Sequence, residues 1–575
     1  MENGPDNGEV ARIFARIAAV MEIQGENAFK IRAYRNAVDT LNHLDEPVTL
    51  MARENRLDTI PGFGDAIQAK TRDIIATGTT ALYERLRDKV PAGVVDMLEL
   101  PGLGAKTVKQ LWETLQIDSV DALETAARAG RLTGIPGIGE KTVVKILEAI
   151  ERGRRFANRV RIDEAIGIAA GLAGNLANDG GISVIEIAGA VRRREDSVNE
   201  LDIVAVSESP EEAISRFAAL PQAASVLSQS ATESSITLHS GLKAHLTVAE
   251  PASFISAFAW KTGSASHWTE LQNQAAKLGL DLTGKGLVRG GSLIPLETEE
   301  QLYSELGLPW ITPELRQGNG EIAAALAGKL PNLITLSDIR GDVHAHTTAS
   351  DGTASIAEMA KAARAFGYEY MAITDHSQSL AIAGGLSPDR LREHIRAIRD
   401  AQESAGIRIY AGSEVDIRAD GSLDYDDELL KQLDIVIASA HMHNKQDRDT
   451  QTKRVIRAIE NPYVDLVAHP TARLINRRDP FDIDIEAMIS AAVRTGTALE
   501  INAAPERLDL SAEHARLAKD MGARIMIDTD AHSIANYQLM PYGINVARRA
   551  WLSASDVLNT LPVAEFEAWL FREKS

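Results

Sequence analysis

The chain contains no cysteine in 575 residues. That excludes disulfides, thiolate zinc sites and a cysteine nucleophile, so any bound metal must be held by histidine and carboxylate. No uninterrupted apolar stretch approaches the roughly twenty residues of a membrane span. The opening Met-Glu-Asn-Gly-Pro-Asp also lacks the basic, apolar pattern of a secretory leader. A cytoplasmic location without membrane contact is the expectation. Positive charge is scarce as well: 61 basic against 81 acidic residues leave a net charge of −20. This argues against non-specific coating of nucleic acid, but not against local binding. The basic charge that exists is clustered, as Arg152, Arg154, Arg155, Arg159 and Arg161, and again as Arg192-Arg193-Arg194. Hydrophobic content of 45% fits a globular protein, and a chain this long exceeds one core, so roughly two to four domains are expected.

Histidine is what the C-terminal part has in place of cysteine. Nine of the thirteen histidines follow Ser337, most of them where an apolar run ends. Asp342-Val-His344-Ala-His346 is followed by Ser350-Asp351-Gly352. Then come Thr374-Asp375-His376, Gly412-Ser413-Glu414, Ser439-Ala440-His441, Val467-Ala468-His469 and Asp528-Thr529-Asp530-Ala531-His532. The apolar runs 338–343, 370–374, 407–411, 435–438, 464–467, 498–501 and 524–527 predict seven strands with helices between them, a (β/α) barrel in outline. Barrel active sites lie at strand C-terminal ends, where these residues fall. His394 and His514, in helical stretches, read as core residues, and His443 is open between the two readings.

The N-terminal part differs. Helical spacing of Val10, Ile13, Phe14, Ile17, Val20 and Met21 is followed by three short units: Ile60-Pro-Gly62-Phe-Gly64, Leu100-Pro-Gly102-Leu-Gly104 and Ile135-Pro-Gly137-Ile-Gly139. Each opens a helical pattern, and Lys106 and Lys141 follow the second and third. Glycines allow close backbone approach, and a helix N-terminus offers free N–H groups to a phosphate. The pattern resembles the helix-hairpin-helix motif, which implies DNA-backbone binding without sequence readout. A tight helical corner used only for packing is the alternative.

Between these parts, Gly189-Ala-Val-Arg-Arg193-Arg-Glu-Asp-Ser-Val-Asn-Glu200-Leu-Asp202 and Thr262-Gly263-Ser264 resemble the palm of family X DNA polymerases. The resemblance covers roughly residues 8–318. It implies Glu200 and Asp202 as catalytic carboxylates and Gly189, Arg193, Gly263 and Ser264 as nucleotide contacts. Two acids one residue apart on a strand share a face, which suits a magnesium pair if the palm is active. The chain departs from the pattern in several places. Glu200 stands for the first Asp, Ala190 for a Ser, Arg194 for a Gly and Trp268 for an Asn, while His245 occupies the third acid's position. A longer acid displaces a metal at the scale to which reaction geometry is sensitive, and a neutral imidazole brings no negative charge to a hard cation. Weakened or lost nucleotide addition is therefore expected. Lys70 matches the Schiff-base lysine of the family's lyase domain, and reads as a solvated helix lysine.

The C-terminal spacing resembles the PHP (polymerase and histidinol phosphatase) family over about residues 338–570. By that resemblance His344, His346, Glu414 and Asp530 hold one metal. Glu414, His441 and His469 hold a second, and Asp351, His376 and His532 a third. Mixed imidazole and carboxylate ligands suit manganese, zinc or iron. Arg477, Arg478 and Lys445 are expected to grip flanking phosphates, the two arginines as part of the catalytic machinery. The whole resembles the bacterial two-part polymerase X enzymes. The expected layout is a helical lyase-like domain (1–90), a second helix-hairpin-helix domain (91–160) and an α+β nucleotidyltransferase palm (161–250). A thumb (251–318), a linker (319–337) and a seven-stranded α/β PHP barrel (338–575) complete it. The implied function is a metal-dependent 3′–5′ exonuclease acting on gapped or 3′-ended DNA as a monomer, with abasic-site cleavage and gap-filling synthesis as further implications. A histidinol-phosphatase-like phosphoesterase and a non-catalytic DNA end-binding scaffold stand as alternatives.

Overall fold

The computed structural model describes residues 7–572, apart from residues 43, 45, 47, 88, 101–102, 136, 157 and 178–180. It divides into two compact units, one reaching residue 157 and one beginning at Asn158.

The first unit is helical among its described residues. Val10, Phe14, Ile17 and Met21 bury one face of the helix Asn7–Gln24. The apolar residue inside each Pro-Gly-x-Gly turn, namely Phe63, Leu103 and Ile138, is buried and pegs the turn to the core. The closing glycine of each turn directly precedes a helix: Asp65–Thr77, Ala105–Leu115 and Glu140–Phe156. Gly62 and Gly137 have φ of 80° and 89°, a backbone region that side-chain-bearing residues rarely adopt.

The second unit starts with a five-stranded mixed sheet: β1 (Ile182–Ile187), β2 (Glu200–Ser207), β3 (Ala223–Gln229), β4 (Glu233–Leu238) and β5 (Lys243–Ala249), in spatial order β1-β2-β5-β4-β3. Alternation along β2 turns Leu201, Ile203 and Ala205 toward the core that also contains Leu172, Ile214 and Phe217. Val204 packs with Phe258 on the opposite face, the side that Glu200 and Asp202 share by period. β2 and β5 run parallel with Asp202 directly opposite His245. The strand β3 has no counterpart in the sequence reading. It is an almost wholly exposed edge strand, so no buried face imposes alternation on it.

A three-stranded sheet (Leu280–Thr283, Gly286–Arg289, Ser292–Ile294) follows with its helices. Buried Glu299 accepts from Arg316 Nη1 at 2.5 Å and from Arg192 Nη2 at 2.6 Å. The stretch 319–337, expected as a linker, is packed instead. Buried Glu321 bonds His267 Nδ1 at 2.7 Å and accepts from the backbone N–H of Gly318 and Asn319, while Ile334 N donates to Leu552 O at 3.0 Å. Its short apolar residues gave no sign of this, because the anchoring partners lie far away in sequence.

The remainder is a barrel of seven parallel strands paired in chain order: β6 (Gly341–Asp342), β7 (Tyr370–Ile373), β8 (Arg408–Asp416), β9 (Ile435–Ser439), β10 (Leu466–Val467), β11 (Ala498–Asn502) and β12 (Arg524–Asp528). The seam between β6 and β12 is bridged by Ala345 and Ala531. Buried Asn559 also spans it, donating to the carbonyls of Gly341 (2.8 Å) and Ile527 (2.6 Å). The interior is filled by Tyr370, Tyr410, Ile437, Leu466 and Met526 together with Phe566 and Leu570 from the helix Val563–Leu570.

Burial opposes the charge of Glu299, but Arg316 and Arg192 outweigh it and hold its pKa down at about 2, against an ordinary 4.5. A carboxylate with a lowered folded value adds stability that is complete above its unfolded pKa and is lost as pH falls toward the folded one. Glu299→Gln should cost about 3 kcal/mol at neutral pH, because it leaves buried guanidinium charge uncompensated. Urea unfolding at pH 7 and again near pH 3 should show that gap narrowing at the lower pH.

Candidate metal centre at the barrel mouth

Parallel strands end on one side of a barrel, so residues at their C-terminal ends converge. Glu414, near the end of β8, is buried at the centre. Its Oε2 lies 3.4 Å from His344 Nε2, 3.6 Å from His346 Nε2 and 2.8 Å from His376 Nδ1. Its Oε1 lies 3.2 Å from His441 Nε2 and 3.0 Å from His469 Nε2. Asp530 Oδ1 approaches His346 Nε2 at 3.0 Å and His344 Nε2 at 3.4 Å. Asp351 faces His376 and His532, at 3.4 Å from each. Three sets of donor atoms are close enough to share a cation: His344, His346, Glu414 and Asp530; His376, Glu414 and His441; and His346, Asp351, His376 and His532. All nine residues expected as ligands thus stand at one mouth. His346 adds itself to the third set; in the second, His376 stands where His469 was expected, and His469, though 3.0 Å from Glu414 Oε1, belongs to none of the three.

Electrostatics fit cations here. Burial disfavours imidazolium, yet Glu414 and Asp351 outweigh it and raise His376 to about 10, while Glu414 and Asp416 raise His441 to about 9. Burial and neighbouring imidazoles hold His346 down at about 4, and burial with Arg507 holds His469 at about 3. His344 Nε2 and Glu414 Oε2 are buried without a hydrogen-bond partner. Such atoms are costly unless something pairs them, and a divalent cation between imidazole and carboxylate would do so.

In the palm, His245 Nε2 lies 3.5 Å from Glu200 Oε2, and His245 Nδ1 is bonded to Ser235 Oγ at 2.7 Å. Burial and the charge of Glu200 raise the pKa of Asp202. A Cβ on Gly189 would meet Asp202 Oδ2 at 2.2 Å, so only glycine allows that approach. Arg193 is engaged by Glu195 and by the carbonyl of Thr262 (2.8 Å). Ser264 caps the helix Ala265–Lys277, accepting from His267 N at 3.1 Å, and Gly263 packs against the His267 ring. In the helical unit, Lys106 and Lys141 are exposed, and Gly62, Gly64, Gly104, Gly137 and Gly139 border open space. Gly102 lies outside the described residues. Lys70 Nζ donates to Ala66 O at 3.0 Å and sits 6.0 Å from the Tyr34 ring centre. Arg477 and Arg478 are both exposed at the barrel, and Arg478 donates to Ala472 O at 2.7 and 2.9 Å.

Family models match in four places: a helix-hairpin-helix domain over residues 5–80, a SAM-like helix-hairpin-helix tandem over 94–152, a DNA polymerase beta thumb over 257–317 and a PHP domain over 342–504. The DNA polymerase/3′-5′ exonuclease PolX of Bacillus subtilis (strain 168) is 36% identical over 572 residues, 98% of this chain and 99% of that protein. The chain belongs to the PolX family. Probable phosphatases of Thermoanaerobacter sp. (strain X514) and Acetivibrio thermocellus are each 32% identical over 40% of this PolX-family chain and 95% of their own length. They are similar over less than half of it.

The sequence reading of this PolX-family chain missed the residues that orient the donors. Glu500 Oε1 bonds His344 Nδ1 at 2.6 Å, and its Oε2 accepts from His469 N at 2.5 Å. Asp416 bonds His441 Nδ1 at 3.2 Å. Asn502 donates to Asp530 Oδ2 at 3.1 Å, and Arg507 Nε lies 3.7 Å from the same oxygen. Asp375 bonds buried His394 at 2.7 Å and holds Thr347 and Ser350, next to Asp351. The available signal was an acid inside an apolar strand (Leu499-Glu500-Ile501), since a buried charge must be partnered. Glu500→Ala should weaken manganese binding to the full-length protein about 10–100-fold in calorimetric titrations, with unchanged circular dichroism.

Proposed function

We propose that the chain is a metal-dependent 3′–5′ exonuclease acting on gapped or 3′-ended DNA, with its working active site at the barrel mouth. The converging set of nine histidines and carboxylates carries this reading. The DNA part rests on the helix-hairpin-helix turns, which a small-molecule phosphoesterase does not need. It also rests on the relative named as a polymerase and 3′-5′ exonuclease over nearly its whole length. Similarity of the barrel portion to probable phosphatases favours phosphoester chemistry in general, and makes small-molecule hydrolysis the second reading.

His344, His346, Glu414 and Asp530 would hold one cation, Glu414 with His441 and His469 a second, and Asp351, His376 and His532 a third, with manganese or zinc suited to the donors. Such cations supply Lewis acidity toward phosphate oxygens and acidify water. The chain contributes the geometry. Glu500 accepts from His344 Nδ1–H, which turns Nε2 toward the cluster, and Asp416 does the same for His441. Arg477 binds a flanking phosphate at the rim. In the palm, Glu200 and His245 in place of two aspartates lower the negative charge available to a magnesium pair, so synthesis is weak or absent.

The test uses 3′-labelled gapped duplex with manganese, with and without deoxynucleotides. His344→Ala/His346→Ala should reduce degradation at least about a thousandfold, and Asp202→Ala should leave it unchanged. Undiminished degradation in the double variant sinks the barrel assignment. Robust extension abolished by Asp202→Ala would overturn the reading of the palm.

A further inference from the structure

Asp196 belongs to the palm, in the turn between the Arg192–Arg194 run and β2, yet barrel residues bind its carboxylate. Arg473 Nη2 donates to Asp196 Oδ2 at 2.8 Å, and Arg549 donates to Oδ1. Burial favours the neutral acid, but the two guanidinium groups outweigh it and lower the pKa of Asp196. Arg473 lies in the loop that leaves the proposed ligand His469 and runs to Arg478. Three non-glycine residues of this loop adopt left-handed backbone: His469 (φ 28°), Ala472 (φ 50°) and Asn476 (φ 58°). Such conformations cost energy and persist only where the surroundings over-determine them.

Some of that constraint comes from the barrel: Thr471 bonds Asp509 through both N and Oγ1 at 2.9 Å, and Ile475 N donates to Glu506 O at 2.7 Å. The rest comes from the palm side. Besides the Arg473–Asp196 pair, Asn476 Nδ2 donates to Arg159 O at 3.1 Å. Arg159 is itself fastened to Ser197, the neighbour of Asp196, at 3.0 and 2.6 Å. Exposed Arg477 comes next in the chain.

We propose that Asp196 is a positioning residue for the barrel's nuclease site: through Arg473 it holds the 469–478 loop in the conformation that presents Arg477 to a DNA phosphate. The proposal rests on the DNA reading above. It gives the palm a role that needs none of the palm's own chemistry. Arg473 also donates to Arg507 O at 2.9 Å and to Leu508 O, bonds that lie within the barrel. These bonds and that of His469 N to Glu500 remain when Asp196 is replaced, so its loss loosens the loop beyond Arg473 and leaves His469 and the other donors around Glu414 in place.

Full-length wild type, Asp196→Ala and Asp196→Asn should be compared with manganese on two substrates: 3′-labelled gapped duplex and bis(p-nitrophenyl) phosphate, a diester with no flanking phosphate for Arg477 to bind. Asp196→Ala should raise KM for DNA about tenfold while kcat stays within about threefold, and leave diester hydrolysis unchanged. Asp196→Asn, which keeps an oxygen for Arg473, should fall between. An unchanged KM for DNA overturns the proposal. So does an equal loss on both substrates, which would mark general damage to the fold. A wild-type enzyme that cleaves the diester but not DNA overturns the substrate reading, and the Asp196 proposal with it.

Discussion

One buried carboxylate organises the barrel mouth of this molecule. Glu414 lies within 3.6 Å of five histidines carried by four different parts of the barrel. Nothing in a dry interior screens such a crowd, so its members must neutralise one another or share cations. The surrounding structure serves that constraint. Asp530 and Asp351 add negative charge on either side, while Glu500 and Asp416 fix imidazole orientation from behind. The closed seam at Asn559 and the interior packing around Phe566 keep the strand ends in place.

The palm presents the opposite case. Its sheet pairs Asp202 directly against His245 with no slip, so the strand frame that carries Glu200 and Asp202 persists, with an imidazole opposite them where a third acid was expected. Glu200 leans on His245, Arg193 is occupied by Glu195, and the turn carrying Asp196 is committed to barrel arginines. The packing of this sheet does not depend on those polar residues, because the core lies under the far face, among Leu172, Ile214 and Phe217.

Much of this was legible beforehand, where the physics is local. Turn glycines, helix faces and ligand-bearing strand ends follow from spacing over a few residues, and the seven barrel strands fall close to the predicted runs. The legible part stops where partners are distant. Edge strand β3 has no buried face to impose a pattern. Glu321 reads as a connector residue until His267 is brought to it. Glu500 lies inside the apolar run 498–501, and only its place behind His344 and His469 explains it.

The sequence by itself determined which donor chemistry is available, since a chain without cysteine can offer a metal only imidazole and carboxylate, and it set those donors at the ends of apolar runs. Only the tertiary structure decided which donors come within reach of one another, that Glu414 stands among five histidines, and that a palm carboxylate pairs with barrel arginines. The reason is physical: strand ends meet through barrel closure, and Asp196 reaches Arg473 across 277 residues of chain, so neither relation leaves a trace in local spacing.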